Sequence, residues 1–335
     1  MGLGFWFLNR NLGRIFIFTI DILLFWKYKF HLGQNPFRED EQIEMKPSLI
    51  CLLLFLFLLF LSSACMPCKK GTIAATASLL EDVVKSSYRQ SDLRMIREGT
   101  PAYLMLLDGM VEAWPDNAQL LIAAAQGYSS FASVFLEDQD RDYAKRLTGK
   151  GKQYALRSLE LKGLKDPLQK PFDDFQENLT HLGKKEVPYL FWSATCWASW
   201  INLNLDSVEA MAELPKVEAM MQRVLDLDEA FYYGGPHLFM GIWFASRPKI
   251  AGGDLKRAQG HFLKAIELGQ GKFLMAYVYY ASTYARQALD KDLFTSLLQG
   301  VLKSPADDPP ELTLLNTVAK KNAQELLGRV EEYFD

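Results

Sequence analysis

Residues 234–268 read GGPHLFMGIWFASRPKIAGGDLKRAQGHFLKAIEL, and their pattern decides the expected fold. In the second half, Ala258, Phe262 and Ala265 recur at helical spacing, which puts them on one face of a helix. In the first half a large residue, an apolar and small pair, and an aromatic residue follow similar spacing: His237, Met240, Gly241 and Phe244. Because small side chains let two helices approach while bulky ones fill the gaps, the stretch predicts a packed helical hairpin.

The same spacing recurs along the chain, which predicts a repeated helical unit. Three further first helices show it: Leu121, Ala124, Ala125 and Tyr128; Leu190, Ser193, Ala194 and Trp197; Tyr277, Tyr280, Ala281 and Tyr284. Three second helices end in a similar four-residue motif: SLEL at 158–161, VLDL at 224–227 and AIEL at 265–268. We therefore predict an all-α fold of degenerate tetratricopeptide-type repeats. It is an α-solenoid over 73–335, with a C-terminal capping helix over 310–334.

Proline and glycine clusters mark where helices are expected to stop, because proline lacks a backbone N–H and glycine adopts turn conformations easily. They fall at 99–101, 115–117, 166–171, 234–236, 252–254, 269–271 and 305–310. The spacing between units is uneven, with an insertion over 162–186 and a widened turn over 247–253. No alternating apolar and polar stretch is flanked by turn residues, so no β-sheet is predicted.

The N-terminal part of the chain has the features of a secretion signal. Residues 49–61 form an uncharged apolar run of 13 residues that follows Lys46 and leads into LSSAC at 61–65. This run is shorter than the ~20 apolar residues that a membrane-spanning helix needs. The segment resembles a bacterial lipoprotein signal peptide over 45–64. That resemblance implies cleavage before Cys65 and attachment of lipid to this cysteine.

An ordinary cleaved secretory signal, or an uncleaved anchor, remains open as an alternative to the lipid site. Such signals begin shortly before their apolar run, so Met45 is the expected biological start. Residues 1–44 are then a non-native upstream extension. Residues 65–72 would form a lipidated linker, followed by a helical repeat domain over 73–335.

Composition and cysteine count argue against several functional classes. A net charge of −3 over 335 residues does not indicate a nucleic-acid-binding surface. Of the four cysteines, Cys51 and Cys65 belong to the signal region, and Cys68 and Cys196 lie far apart. No disulfide framework is therefore expected. Cys65 and Cys68 have CxxC spacing, but they lack a second pair, so a redox or metal site is not expected either.

No catalytic residue, metal or cofactor is predicted. His181, His237 and His261 have no metal-ligand spacing, and His237 occupies a packing position in the repeat pattern. The sequence contains neither a nucleophile elbow nor a zincin motif. The acidic cluster EDQDRD at 137–142 lacks the glycine and final glutamate of an EF-hand loop. It is expected to be a solvated turn between two helices.

A binding surface is the functional feature that we do expect. In stacked repeats the first helices line the concave side, and the register turns these residues toward it: Gln126, Phe191, Thr195, Leu238, Ile242 and Ser282. Tyr233 lies beside the glycine-rich turn, and Arg247 and Arg286 are candidates for binding a carboxylate. The small, mostly apolar lining favours a partner helix or an amphiphilic solute. The aromatic residues could equally fill the core, and the arginines could equally serve solubility.

Several residues resemble those of a known family: Gly234, Gly235, Pro236, His237, Leu238, Gly241, Pro248, Gly252, Gly253, Asp254, Ala258, Phe262, Ala265, Lys272, Phe273 and Leu274. With the aromatic segment over 189–201, they resemble the T component of TRAP-type (tripartite ATP-independent periplasmic) transporters, over most of 73–334. The resemblance implies a periplasmic lipoprotein that partners the solute-binding protein of an uptake system. It also implies a homotrimer with a ligand-permeable cavity in each protomer. A general tetratricopeptide-repeat adaptor for envelope protein assembly is the alternative.

Overall fold

A computed structural model describes residues 71–137 and 139–334. The predicted upstream extension over 1–44, the signal peptide over 45–64 and the lipid site at Cys65 lie outside these residues. The described residues all belong to one unit, Pro67–Asp335.

The described residues are helical throughout, and they contain no strand, as the sequence predicts. The helices in chain order are α1 (71–88), α2 (Leu93–Ala113), α3 (Ala118–Phe135), α4 (Arg141–Leu161), α5 (Phe172–Thr180), α6 (Val187–Leu203), α7 (Val208–Ala212), α8 (Leu214–Asp228), α9 (Phe231–Ala245), α10 (Leu255–Leu268), α11 (Met275–Tyr279), α12 (Lys291–Lys303), α13 (Thr313–Leu327) and α14 (Val330–Phe334). A π-helical stretch, Tyr280–Ala285, continues α11. Among these helices, none combines the length and the apolar character needed to cross a membrane.

Eight of these helices pack in pairs that we number as hairpins one to four: α3 with α4, α6 with α8, α9 with α10, and α11 with α12. The paired helices are antiparallel. In hairpin one, Ser158 near the end of α4 donates to the carbonyl of Ala118 at the start of α3, at 3.1 Å. In hairpin three, the N–H of Asp254 donates to the carbonyl of Phe244, at 3.1 Å. We call α3, α6, α9 and α11 the first helices.

The packing residues named from the sequence fill the core of the hairpins. Phe262 is fully buried, and a Cβ added at Gly241 would lie 3.1 Å from its ring. Other predicted packing positions are also fully buried: Leu121, Ala124, Ala125, Leu190, Ala194, Trp197 and Ala258. Burying one such large apolar side chain contributes about 1.5–3 kcal/mol. The alternation of small and bulky residues therefore fixes how closely the paired helices approach.

One predicted helix break is wrong, because α2 continues through Pro101. Pro101 has no backbone N–H, so α2 loses one hydrogen bond at this point. On the same turn, the hydroxyl of Thr100 donates to the carbonyl of Ile96 at 2.6 Å. Leu104 and Leu107, on the following turns of α2, are buried in the core. Packing of this apolar face outweighs the loss of a single hydrogen bond, so the helix stays continuous.

The predicted capping helix over 310–334 is divided into shorter pieces. A 3-10 turn, Pro310–Leu312, leads into α13, and a break at Gly328 separates α13 from α14. The buried side chain of Asn316 holds the start of α13: its amide oxygen accepts from the N–H of Leu274 at 3.0 Å. The amide nitrogen of Asn316 donates to the carbonyl of Lys272 at 3.1 Å. These bonds satisfy the buried amide and join α13 to α11.

The two ends of the row of hairpins meet. α13 contacts α2, and the two helices line a shared cavity of about 180 Å³ through Leu93, Arg97, Val318 and Lys321. The row therefore curves back on itself.

Candidate functional site

An unusual backbone turn lies at the start of α9. Tyr232, Tyr233 and Gly234 have φ angles of 49°, 59° and 74°, so they form a left-handed turn ahead of the right-handed helix. Each tyrosine in this conformation costs roughly 1–2 kcal/mol, because its Cβ crowds the carbonyl oxygen. Strain of this kind persists only where surrounding contacts hold it, and it is concentrated at functional sites. The turn is therefore our starting point for a candidate site.

Six aromatic rings pack around this turn, and we call them the aromatic cluster: Phe191, Trp192, Phe231, Tyr232, Tyr233 and Phe273. Tyr232 lies at its centre, with its ring centroid 4.7 Å from that of Trp192, 5.6 Å from Tyr233 and 6.1 Å from Phe273. These three pairs are edge-to-face, an arrangement that contributes about 0.5–1.5 kcal/mol per pair beyond burial alone. The cluster thus offsets the strain of the left-handed turn.

Glycines let the helices come close enough to build the cluster. A Cβ at Gly235 would lie 2.7 Å from the ring of Phe191, and one at Gly234 would lie 3.0 Å from the Cα of Ala265. Gly234 also needs its positive φ, which glycine adopts at little cost. The glycine-rich turn therefore lies in close contact with α6 and with α10.

Tyr88 of α1 lies beside the aromatic cluster, because its phenol interacts with that of Tyr232. Burial raises the pKa of Tyr232 well above its ordinary value, and the nearby phenols of Tyr88 and Tyr233 add to this effect. Burial also raises the pKa of Tyr88. Both phenols are therefore neutral near pH 7 and act as hydrogen-bonding groups. No local sequence pattern could predict this contact, because the two tyrosines lie far apart in the chain.

The chemistry of the aromatic cluster is apolar with neutral hydroxyls. Trp192, Phe231, Tyr232 and Tyr233 are all partly exposed, so a ligand can reach their rings. Burial, with a contribution from Glu311, raises the pKa of Tyr233. Such a surface suits the apolar or aromatic body of a solute, which it can bind through ring faces.

Tyr279, the last residue of α11, lies near hairpin one. The residue is 40% exposed. Even so, the surrounding protein desolvates its phenol and raises the pKa, and Glu137 adds to this effect. Glu137 follows α3, so hairpin four lies close enough to hairpin one for these two groups to interact.

The structure brings some predicted binding residues together at the aromatic cluster. Phe191 and Tyr233 belong to it. Thr195, one turn further along α6, is partly buried, and its hydroxyl donates to the carbonyl of Phe191 at 2.8 Å. Ile242 is partly exposed, whereas Leu238 is only 7% exposed and packs in the core. A ligand would therefore reach little of Leu238.

Other predicted binding residues lie away from the cluster. Gln126 on α3 and Ser282 in the π-helical stretch are partly exposed. Arg247 follows the end of α9, about 20 Å along the helix from the left-handed turn. Its guanidinium carbon lies 3.3 Å from the ring centroid of Trp243, and burial lowers its pKa. Arg286 stacks on Tyr333 at 3.9 Å. Neither arginine is thus brought to the aromatic cluster.

Two histidines that have no metal-ligand spacing in the sequence meet in the structure. Nδ1 of His237 lies 2.9 Å from Nδ1 of His261, and Nε2 of His237 lies 3.1 Å from a carboxylate oxygen of Glu229. One histidine nitrogen must donate and the other accept, so at least one ring is neutral. Burial, helped by His237 and Arg257, lowers the pKa of His261 to about 4. The pair ties α9 to α10, and residues 71–137 and 139–334 contain no acidic, histidine or cysteine group suited to a metal ion.

A polar network joins α2, α3 and α4. Lys150 Nζ lies 2.5 Å from a carboxylate oxygen of Asp108 and 3.0 Å from the hydroxyl of Tyr128. The hydroxyl of Tyr154 donates to the other oxygen of Asp108 at 2.8 Å. Burial alone would raise the pKa of Asp108, but these hydrogen bonds lower it. Because every polar group in the network has a partner, we assign it to holding the helices together.

Comparison with known proteins identifies a single family. The model of the family TAtT, described as the TRAP transporter T-component, matches residues 89–334. The matched range includes the left-handed turn and all the predicted binding residues. No curated protein matches the chain.

Proposed function

We propose a function from the premise that this chain belongs to the TRAP transporter T-component family, as the glycine-rich block predicted. It therefore has an accessory role in TRAP transport. The proposal is that the protein binds the solute-binding protein of its transport system in the periplasm. In that complex it offers the aromatic cluster to the apolar or organic-acid body of the solute.

The partly exposed rings around the left-handed turn are the observation that carries this proposal. They form an apolar surface with neutral hydroxyls, and the strained turn at Tyr232 and Tyr233 holds these rings in place, as strained backbone does at many functional sites.

The architecture and anchoring complete the proposal. We take the four hairpins to be degenerate tetratricopeptide-type repeats of an α-solenoid, because the predicted small and bulky positions pack within them. Lipid on Cys65 would hold the protein at a membrane surface, and three copies would assemble into a homotrimer. Separate membrane subunits would carry out the transport step.

Solution mass tests the partnership. The full-length protein, purified in detergent, is measured by light scattering alone and with the solute-binding protein of the same transporter. We expect a trimer that gains one solute-binding protein per protomer. A monomer whose mass does not change would overturn the proposal. Equal binding of unrelated periplasmic proteins would instead support the general adaptor for envelope assembly.

Octanoate, an apolar carboxylate, serves as a probe for the aromatic cluster. Its binding is followed through tryptophan fluorescence, since Trp192 belongs to the cluster. Tyr233→Ala is expected to weaken binding about tenfold, because removing a stacking ring loses roughly 1–1.5 kcal/mol. The control is Tyr143→Ala on α4, an exposed tyrosine that lies outside the aromatic cluster. Equal losses in both variants would count against a solute site at the turn.

A further inference from the structure

The connection between the helices of hairpin three is longer than those in hairpins one and four. It spans 246–254, whereas the corresponding connection in hairpin one spans 136–140 and that in hairpin four spans 288–290. In repeated helical architectures, extra residues of this kind fall in loops on one face, which is often the binding face. The longer connection therefore needs a function of its own.

This connection is a closed and rigid loop. The carbonyl of Pro248 accepts from the N–H groups of Ala251, at 2.8 Å, and Gly253, at 3.1 Å. Gly253 leaves no room for a side chain, because an added Cβ would overlap the carbonyl of Arg247. At the tip, Ile250 is 97% exposed. A rigid loop that displays an aliphatic side chain loses little conformational entropy on binding.

Hairpin two carries a second apolar projection. Its connection over 204–213 contains the short helix α7, in which Val208 is 79% exposed. Leu205 and Met211 in the same connection are also exposed. Together with Ile250, these side chains place large aliphatic groups in water on two hairpins. Hairpins two and three are neighbours, because α9 packs against both α6 and α8.

The two projections lie at the same edge of the molecule. The indole N–H of Trp197, in the second half of α6, donates to Glu213 at the start of α8. Arg247, which follows α9, lies close enough to Glu218 near the start of α8 for their charges to interact. The C-terminal parts of α6 and α9 therefore both lie beside the start of α8. The connections that follow these two helices thus emerge on the same side. We call residues 204–213 and 246–254 together the connection edge.

Charge distinguishes the possible occupants of the connection edge. The connection over 204–213 contains three acidic residues and no basic one; Asp206 is paired with Lys145 and Glu213 with Lys152, so Glu209 lies outside these pairs. The connection over 246–254 carries two basic residues against the single acidic Asp254. A membrane with anionic lipids would attract the second segment and repel Glu209 in the first. A folded protein with oppositely arranged charges can satisfy both.

We propose that the connection edge of hairpins two and three is the docking surface for the solute-binding protein. Ile250 and Val208 would enter apolar depressions of that partner, with acidic partner groups opposite Lys249 and basic ones opposite Glu209. This inference rests on the proposed function, because that proposal supplies the partner.

Isothermal titration of the full-length protein in detergent with the solute-binding protein tests this surface. Ile250→Asp and Val208→Asp are each expected to weaken binding at least tenfold. Lys249→Glu is expected to slow association at low salt, because charges on such surfaces steer encounter. The matched control is Leu289→Asp, a residue 76% exposed in the corresponding connection of hairpin four, which is expected to bind within twofold of wild type. Unchanged thermal unfolding in all variants establishes that only the surface has changed.

The outcomes separate the two proposals. If wild type binds and every variant binds equally well, the docking surface is wrong and the proposed function stands. If wild type does not bind the solute-binding protein, both fail. Vesicles of phosphatidylethanolamine and phosphatidylglycerol provide the membrane comparison, with any N-terminal anchor common to all variants. A loss of vesicle binding in Ile250→Asp, with binding of the solute-binding protein unchanged, would assign the edge to lipid instead.

Discussion

Hairpin one and hairpin three both pack closely, since a Cβ added at Gly151 of hairpin one would lie 3.1 Å from the carbonyl of Ala125, but charged groups also tie hairpin one to other helices. Around hairpin one, charged groups reach between helices: Lys150 binds Asp108 of α2, and Lys152 binds Glu213 at 2.5 Å. In hairpin three, backbone and rings touch directly, as where Gly241 faces Phe262. The charged ties need partners from distant parts of the chain, whereas the close contacts depend on spacing within one hairpin. Only the second kind leaves a pattern in the sequence.

The largest expected effect concerns the close contacts in hairpin three. Gly234→Ala should lower the free energy of unfolding by about 2–4 kcal/mol, because alanine is strained at positive φ and its Cβ would press on the backbone of Ala265. Chemical denaturation provides the measurement. Gly260→Ala on α10 is the control: nothing lies within 4 Å of an added Cβ there. It should stabilise the helix by about 0.5–1 kcal/mol. A similar loss of unfolding free energy in both variants would show that the close contact at Gly234 is not what stabilises hairpin three.

A second variant tests the charged ties. Lys152 is buried, and Glu213 also accepts from the indole N–H of Trp197 at 2.5 Å. Lys152→Ala should cost about 2–3 kcal/mol in unfolding free energy, since it leaves a half-buried carboxylate without its cation. Lys145→Ala removes a longer, exposed pair with Asp206, at 3.5 Å, and should leave stability unchanged. If both variants lose the same unfolding free energy, burial does not explain the contribution of the Lys152–Glu213 pair.

The smallest effect is a pH dependence within hairpin three. His261 faces His237 and Arg257, and its pKa of about 4 lies below its ordinary 6.5. The unfolded chain therefore binds more protons between these values, so the contribution of His261 is complete above pH 6.5 and is lost as pH falls toward 4. After a discount for partial exposure, this amounts to about 1 kcal/mol.

Urea denaturation at pH 7.5, 5.5 and 4.5 measures this dependence in wild type and in His261→Phe. The variant should lose less stability than wild type across this range, while carboxylates, including Glu229 beside His237, titrate in both proteins. Parallel losses in the two proteins would show that the histidine pair is not the acid-sensitive contact.

Most of the helical architecture could be predicted from the sequence, because caps, breaks and packing periods are local. Asp254, which ends the predicted break at 252–254, accepts from the N–H of Arg257 as the N-cap of α10. The helix break expected at Pro101 is absent, because the buried apolar face of α2 keeps the helix continuous. The helix inside the insertion over 162–186 was not predicted; α5 is held there by the fully buried Phe175.

The candidate site was only partly predictable. Phe191 and Tyr233 were named from their positions in the pattern, and they do meet in the aromatic cluster. The left-handed turn at Tyr232 and Tyr233 leaves no sequence signal, because tyrosine rarely adopts positive φ. The proximity of Tyr88 to Tyr232 depends on how α1 packs against the hairpins.

The sequence alone predicted that the part of the chain described by the structure is helical and how hairpin three packs, because helix periodicity and small residues act over a few turns. The transporter family followed from the resemblance of the glycine-rich block, and the family model matches it. The tertiary structure decided which groups on different helices meet: the two histidines, the charged ties around hairpin one, and the tyrosines at the left-handed turn. Packing between helices sets these contacts, and no single stretch of sequence records it.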